Sequence, residues 1–495
     1  MSLGDRLGWL FKSQSELDLT DGPILGSLFF LSVPIVITNL LQVGYNLADT
    51  FWLGQYSTDA LAAISLGFPL VYLFISLGLG LTVAGSVLVA QHTGADQPAE
   101  AEYAASQTVV FTLLAGLVLG GLGFSFVAEL LAVFDAAPDV LGLATAYMEI
   151  ISLGLPFLFG FTVFIALMRG AGDTVTPMLV MFGTVVLNVA IDPILIFGWG
   201  PLPELGVEGA AVATVISRGS AMVAGLWLML RGRHGIQINL EDMWPDLDYS
   251  KKLLRIGGPA SIENTGRAIS VNLVLVIVTL FSTPVVAAFG VGLRVFSMVF
   301  MPAIAIDRGV EAMSGQNIGA GNLDRVSTIN RWAAGVSFLL LSALGVVTFV
   351  FAPEIIRLFD ESPAVVAEGA TFLRWIAPTF GFVGILRAYS GGFRGAGKTL
   401  TAATIAVVLF GLIRLPIAYV ASQDVIPLDI WIFGAKTPEG IWLSFAVSGV
   451  IAAVVAAVWF ERGTWRDGDL TDETATESDQ LADETETTPD TPADD

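Results

Sequence analysis

Of 495 residues, 54% are hydrophobic and only 14% are charged, and the mean hydropathy is +0.75, whereas ordinary soluble domains carry roughly 25% charged residues. This composition excludes a water-soluble domain and predicts a chain that lives in lipid. The net charge of −22 is concentrated in a tail, Asp467 to Asp495, which holds twelve acids and no Lys or Arg and leaves −10 for the rest.

The first segment, Met1 to Asp21, is polar and mixed in charge, so no signal peptide is expected ahead of the first span. Twelve apolar stretches follow, each about long enough to cross a ~30 Å hydrocarbon core as a helix: 25 to 53, 60 to 91, 102 to 134, 140 to 168, 176 to 198, 208 to 231, 253 to 281, 286 to 316, 330 to 357, 365 to 392, 400 to 420 and 440 to 460. The fold class expected is therefore an all-α integral membrane protein of twelve transmembrane helices. Arg6, Lys12, Arg169, Arg231, Arg233, Lys251, Lys252, Arg255, Arg325, Arg394, Lys398, Arg462 and Arg466 fall on one side of this map, and only Arg357 and Lys436 on the other. That asymmetry predicts a plasma-membrane protein with both termini and the loop after span six in the cytoplasm. The tail is too poor in apolar residues to fold, and disorder is expected there. Acidity, the absence of Cys and 18 Arg against 5 Lys suggest a salt-accumulating host such as a halophilic archaeon.

An offset of 225 residues keeps returning. It pairs Pro34 and Asn39 with Pro259 and Asn264, and Gln91, Gly94 and Ala95 with Gln316, Gly319 and Ala320. It also pairs Arg169-Gly-Ala-Gly172 with Arg394-Gly-Ala-Gly397. Two homologous six-helix lobes are expected, 1–231 and 251–466, joined by a cytoplasmic linker, 232–250, and followed by the tail, 467–495. Six is an even number, so the lobes enter the membrane in the same direction as a parallel repeat, able to rock about a shared cavity.

With these repeats on the page, the chain resembles the multidrug and toxic compound extrusion (MATE) family in its archaeal and bacterial branch. The resemblance covers about residues 20 to 462 and rests on "AQHTGA"/"GQNIGA", "RGAGDT"/"RGAGKT", "QVGYNLADTFWLG", "LNVAIDPILI" and "GVEGAAVATVISR".

An ionisable side chain inside a span needs a partner or a task. Thr38, Gln42, Tyr45 and Asp49 share one helix face of span one, as do Thr184, Asn188 and Asp192 on span five. Polar groups at packed interfaces also act as plain glue between helices. Two carboxylates without an arginine nearby in sequence are a poor structural device, however, and a good cation site, able to hold a proton or a hard cation through oxygen ligands. The resemblance implies the same site: Asp49, Asn188, Asp192 and Thr214 for ion coupling, with Gln42, Tyr45 and Tyr147 around the substrate cavity. Pro34 removes a backbone hydrogen bond from span one and supplies a candidate hinge.

In the second half Glu263, Arg267 and Ser270 share a face of span seven, and Asp307, Glu311 and Ser314 a face of span eight. Glu263, Asp307 and Glu311 are second-lobe candidates for coupling, in competition with a compensated ion-pair network. Arg294 and Arg308 lie close by in sequence. Arg374, Arg387 and Arg414 add further charge, and Glu149 is a candidate partner for one of these three across the lobes. Gly392 to Thr399 fits the phosphate-loop pattern G-x-x-x-x-G-K-T, but it follows a membrane span instead of a strand, so no nucleotide is expected. His92 and His234 stand apart from other ligands, so no metal beyond a coupling Na⁺ is expected, and no cofactor.

The function that follows is secondary active antiport, not enzymatic catalysis: export of small organic, often cationic, compounds in exchange for H⁺ or Na⁺ by alternating access. A flippase for lipid-linked oligosaccharide or polysaccharide precursors is the alternative, for which a basic cavity would be required. The partners expected are small organic substrates and the lipid bilayer, with no nucleic acid, and a monomer suffices because both lobes lie in one chain.

Overall fold

The computed structural model describes residues 18–133, 136–200, 202–232, 235–422 and 437–471. All regular structure among them is helical. The first lobe is built from α1 (Ile24–Tyr56), α2 (Thr58–Gly94), α3 (Pro98–Leu131), α4 (Pro138–Gly170), α5 (Val175–Phe197) and α6 (Gly206–Leu230). The second comprises α7 (Leu247–Val278), α8 (Thr283–Val299), α9 (Met301–Gly319), α10 (Leu323–Val350), α11 (Ala352–Arg357), α12 (Pro363–Ile376), α13 (Phe380–Gly395), α14 (Thr399–Val407), α15 (Leu415–Ala421) and α16 (Glu439–Glu461). By length and apolarity these provide 11 membrane spans, or 12 when the bent pair α8 and α9 is one span.

The first-lobe spans run without a break, whereas the second lobe interrupts four that the sequence leads one to expect as continuous. Expected span 286–316 bends by 43° at Phe300, because Pro302 has no N–H to continue α8. Pro353 opens α11 after α10 has ended at Val350. Pro378 lies in a 3₁₀ turn, Ala377–Thr379, between α12 and α13. Between α14 and α15 the chain widens into a π-helical stretch, Val408–Arg414. Such stretches are rare and concentrate at functional sites.

The lobes meet at one end through the repeated motif. Gln91 Nε2 at the end of α2 donates to the Gly395 carbonyl (2.9 Å), and Gln316 Nε2 at the end of α9 donates to the Gly170 carbonyl (2.9 Å). Each glutamine thus caps the Arg-Gly-Ala-Gly turn of the opposite lobe. Gly94 and Gly319 cross so tightly that a Cβ on either would stand 1.9 Å from a backbone oxygen, that of Gln316 and of Gln91 respectively. The seam continues inward where Gly80 meets Gly257 and Ser261 Oγ reaches the Leu77 carbonyl (3.0 Å).

The linker is docked, not loose. Gln107 Nε2 donates to the carbonyls of Asp242 (2.7 Å) and Trp244 (2.8 Å), and Asn239 N donates to Ser106 Oγ (3.0 Å). Helix α7 starts at Leu247, ahead of the expected boundary at 251, because Asp246 is its N-cap: its carboxylate accepts from the amides of Asp248 (2.9 Å) and Tyr249 (3.1 Å) and from Tyr103 Oη (2.7 Å). The Tyr103 hydroxyl and these amides hold the Asp246 carboxyl below the usual carboxylate range. A depressed pKa contributes stability above the unfolded value and loses it as pH falls through the folded one. Asp246→Ala is therefore expected to cost about 1 kcal/mol of stability at neutral pH. The difference from wild type should shrink on acidification in thermal melts; a difference constant to low pH would refute the cap.

The tail does not begin free. Gly468 O accepts from Gln91 Nε2 (3.0 Å), and Leu470 N donates to Gln91 Oε1 (2.8 Å), so residues 467–471 lie over the closed seam. The rest of the tail, as well as Arg6, Lys12, Arg233, His234 and Lys436, lies outside the described residues.

Candidate functional site

The polar faces of α1 and α5 meet inside the first lobe. Thr214 Oγ1, on α6, lies 3.5 Å from Asp49 Oδ2, and Asn188 Nδ2 donates to Asp192 Oδ1 (2.9 Å) one turn along α5. Asp49 and Asp192 lie close enough in this site to act on each other electrostatically. Asn188 and Asp192 are fully buried and Thr214 nearly so. Asp49 Oδ1, Asp192 Oδ2 and Asn188 Oδ1 have no partner among the described residues, so three buried oxygens of neighbouring side chains are left unsatisfied. A proton or a hard cation would satisfy them. All four coupling candidates are thus brought together, and Tyr45, Gln42 and Tyr147 lie around them.

Two members of the polar stripes belong elsewhere. Thr38 Oγ1 bonds the Pro34 carbonyl (2.8 Å) and Thr184 Oγ1 the Val180 carbonyl (2.7 Å), each within its own helix. Pro34 itself lies inside an unbroken α1.

The residue missed by the sequence reading is Arg218. From α6, one turn beyond Thr214, its Nη2 donates to Gln42 Oε1 (2.7 Å), and its guanidinium lies over the rings of Tyr45 (4.5 Å to the centroid) and Phe161 (5.4 Å). No carboxylate among the described residues is within ion-pair distance of it. The acid pair therefore does have an arginine in its neighbourhood, which the fold brings to Gln42 from 176 residues away. The signal was available: an arginine within an apolar span calls for a task as much as an aspartate does. A fixed positive charge there opposes organic cations. Arg218→Met is expected to lower KM for a fluorescent organic cation several-fold with kcat little changed, and an unchanged KM would show that the charge does not reach the substrate.

The second-lobe acids converge on one guanidinium. Arg394 is 3% exposed. It contacts Glu311 (3.0 Å), Glu263 (3.1 Å) and Asp307. Arg267 adds to Glu263 (3.0 Å), Arg308 and Arg169 to Glu311 (2.8 and 3.6 Å), and Arg387 to Asp307 (3.6 Å). Arg169 and Arg394, counted from sequence as loop charges, are thus drawn into the protein by the acids they neutralise. Arg387 and Arg414 find Asp307 and Ser448 respectively, not the guessed Glu149.

The phosphate-loop pattern forms no phosphate cradle. The amides of Ala396, Gly397 and Lys398 donate back to the carbonyls of Gly392, Arg394 and Phe393 as the C-terminal turn of α13. His92 Nδ1 contacts Gln97 Oε1 (2.8 Å).

A two-lobed bundle of apolar spans with a carboxylate pair buried inside one lobe is the architecture of a membrane transporter. The chain belongs to the MatE family, whose model matches residues 34–194 and 259–420. Both matches start at the prolines that anchor the internal repeat. The probable multidrug resistance protein YpnP of Bacillus subtilis is 30% identical over 452 residues, covering 91% of this chain and 97% of that one. The probable multidrug resistance protein NorM of Thermotoga maritima is 28% identical (88% and 92%). The FAD transporter of Shewanella oneidensis is 27% identical (82% and 89%). In fold, the chain is similar to a MATE crystal structure in the bent conformation, at a TM-score of 0.84 and 23% identity over 93% of this chain and all of that one. It is also similar to an outward-facing MATE transporter of the MOP superfamily, at 0.82 and 24% over 91% and 98%.

Proposed function

We propose that this protein is a secondary antiporter that exports small organic compounds, many of them cationic, in exchange for H⁺ or Na⁺. The observation that carries the coupling is the set of three partnerless buried oxygens on Asp49, Asp192 and Asn188. The names of the Bacillus and Thermotoga relatives support a drug substrate. Loading the acid pair removes its negative charge, and a bound organic cation loses its counter-charge. Ion and substrate then compete for one site, as exchange requires. Entry of one cation supplies about 2.3 kcal/mol per 100 mV of membrane potential. Pro34 is the proposed hinge through which the charge on Asp49 bends α1, and the excess of Lys and Arg in the loops on that side supports a cytoplasmic position for the sealed seam at Gly94 and Gly319. The protein would act as a monomer in the plasma membrane, its termini cytoplasmic, with no cofactor besides the coupling ion; the arginine-rich composition supports a halophilic host.

Uptake of a fluorescent organic cation into inverted vesicles, where the cytoplasmic face is outside and export runs inward, tests this, with the Na⁺ and proton gradients collapsed separately. Wild-type transport should stop when one of the two is removed, and Asp49→Asn and Asp192→Asn should be folded and inactive. Unchanged uptake in both variants would sink the assignment, and no uptake in any form would favour a lipid-linked substrate.

A further inference from the structure

Around the second lobe's hub, six arginines (Arg169, Arg267, Arg308, Arg387, Arg394, Arg414) accompany three carboxylates (Glu263, Asp307, Glu311). Arginine stays charged in proteins, so this region holds an excess of three positive charges, with Arg394 and Arg414 buried and Arg169, Arg267, Arg308 and Arg387 partly buried. Burial without a counter-charge is costly. The excess is not spread evenly. Arg394 is saturated by its three acids, whereas Arg267, Arg308, Arg387 and Arg414 line a cavity of about 540 Å³ in which Asp307 is the one lining acid. That volume lies within the ~300–1,000 Å³ of ordinary ligand sites.

Arg414 is the clearest member. It is 5% exposed, its Nε donates to Ser448 Oγ (3.0 Å), and its guanidinium lies over the rings of Phe410 (4.5 Å) and Phe445 (4.2 Å). No carboxylate among the described residues pairs with it, so its terminal nitrogens are left for the cavity. It ends the π-helical stretch, which Ser270 Oγ pins by donating to the Phe410 carbonyl (2.8 Å). Arg267 Nε is likewise buried without a partner. Phe296, Phe410 and Phe445 form apolar walls beside these donors.

We infer that this cavity is a binding site for an amphipathic oxyanion, a phosphate or carboxylate group carried on an aromatic or aliphatic body, distinct from the acidic site of the first lobe. Guanidinium groups present the planar fork that such anions accept, and the aromatic walls take the apolar part. The two lobes thereby have opposite polarity within one repeat architecture.

The test is calorimetric titration of 1-naphthyl phosphate, and of uncharged 1-naphthol, into the purified protein in phosphatidylcholine nanodiscs. The ester should bind, more weakly as salt rises, and the alcohol should not. Arg414→Gln should weaken the ester at least tenfold in a protein that elutes and melts as wild type, with Arg414→Lys recovering part of the affinity. Arg267→Gln provides a second, independent reduction. Asp49→Asn should leave this binding intact, so failure here and failure of the coupling assignment are separate results. Binding lost in phosphatidylglycerol nanodiscs would identify a lipid head group as the natural anion, and binding retained there a soluble one. Equal affinity for 1-naphthol, or an Arg414→Gln protein that binds as wild type, would overturn the inference.

Discussion

Replacing Arg394 by Gln is expected to destabilise the folded protein by about 3–5 kcal/mol, the usual cost of removing one partner from a buried ion pair. The side chain is almost wholly buried and neutralises three acids on two different helices, α7 and α9. Its loss leaves Asp307 with Arg387 alone, at 3.6 Å. Thermal unfolding in detergent reads the effect. The double variant Arg394→Gln/Asp307→Asn should recover part of the loss, because one stranded charge is then removed and neighbours in a network do not behave additively. A single variant as stable as wild type would show that water, not Arg394, satisfies these acids.

The second large effect is expected at the seam. Gly94→Ala or Gly319→Ala adds only a Cβ, yet that atom would stand 1.9 Å from a backbone oxygen of the facing lobe. Backbone cannot yield as a flexible side chain can, so the two ends must separate. The chain has no cysteine, which makes a single introduced thiol a clean reporter. In an Ala90→Cys background, at a fully buried residue packed against Gly315 of the other lobe, either substitution should raise the maleimide labelling rate at least tenfold and abolish efflux. Labelling as slow as in the parent would mean that the lobes do not close there.

Much of this was legible in the sequence because it repeats or because it violates expectation. The 225-residue offset, legible because duplicated prolines, glutamines and glycines keep their spacing, is also the offset between the two matches of the family model. Asp49 and Asp192 stood out because carboxylates are rare in spans and periodicity put each on a polar face. Periodicity says which residues share a face but not which faces meet, so Gln42 could be flagged while its partner Arg218, 176 residues away, could not be assigned to it. Charge counting by loop failed for Arg394 for a related reason: a residue at a span's end is equally compatible with water and with a buried acid, and only packing decides. The breaks at Phe300 and Ala377 were marked by Pro302 and Pro378. They were overlooked because proline is tolerated inside other spans here, as at Pro34 and Pro156.

The reciprocal hold of Gln91 on Gly395 and Gln316 on Gly170 has a historical meaning. Each contact is the other with the lobes exchanged, which is the defining property of an isologous interface between identical subunits related by a two-fold axis. A six-helix ancestor could have formed this contact with a second copy of itself before fusion. The opposite charges of the two lobes' interiors are then a division of labour that only fusion permits, since two copies of one half-length chain cannot carry different side chains at the same position.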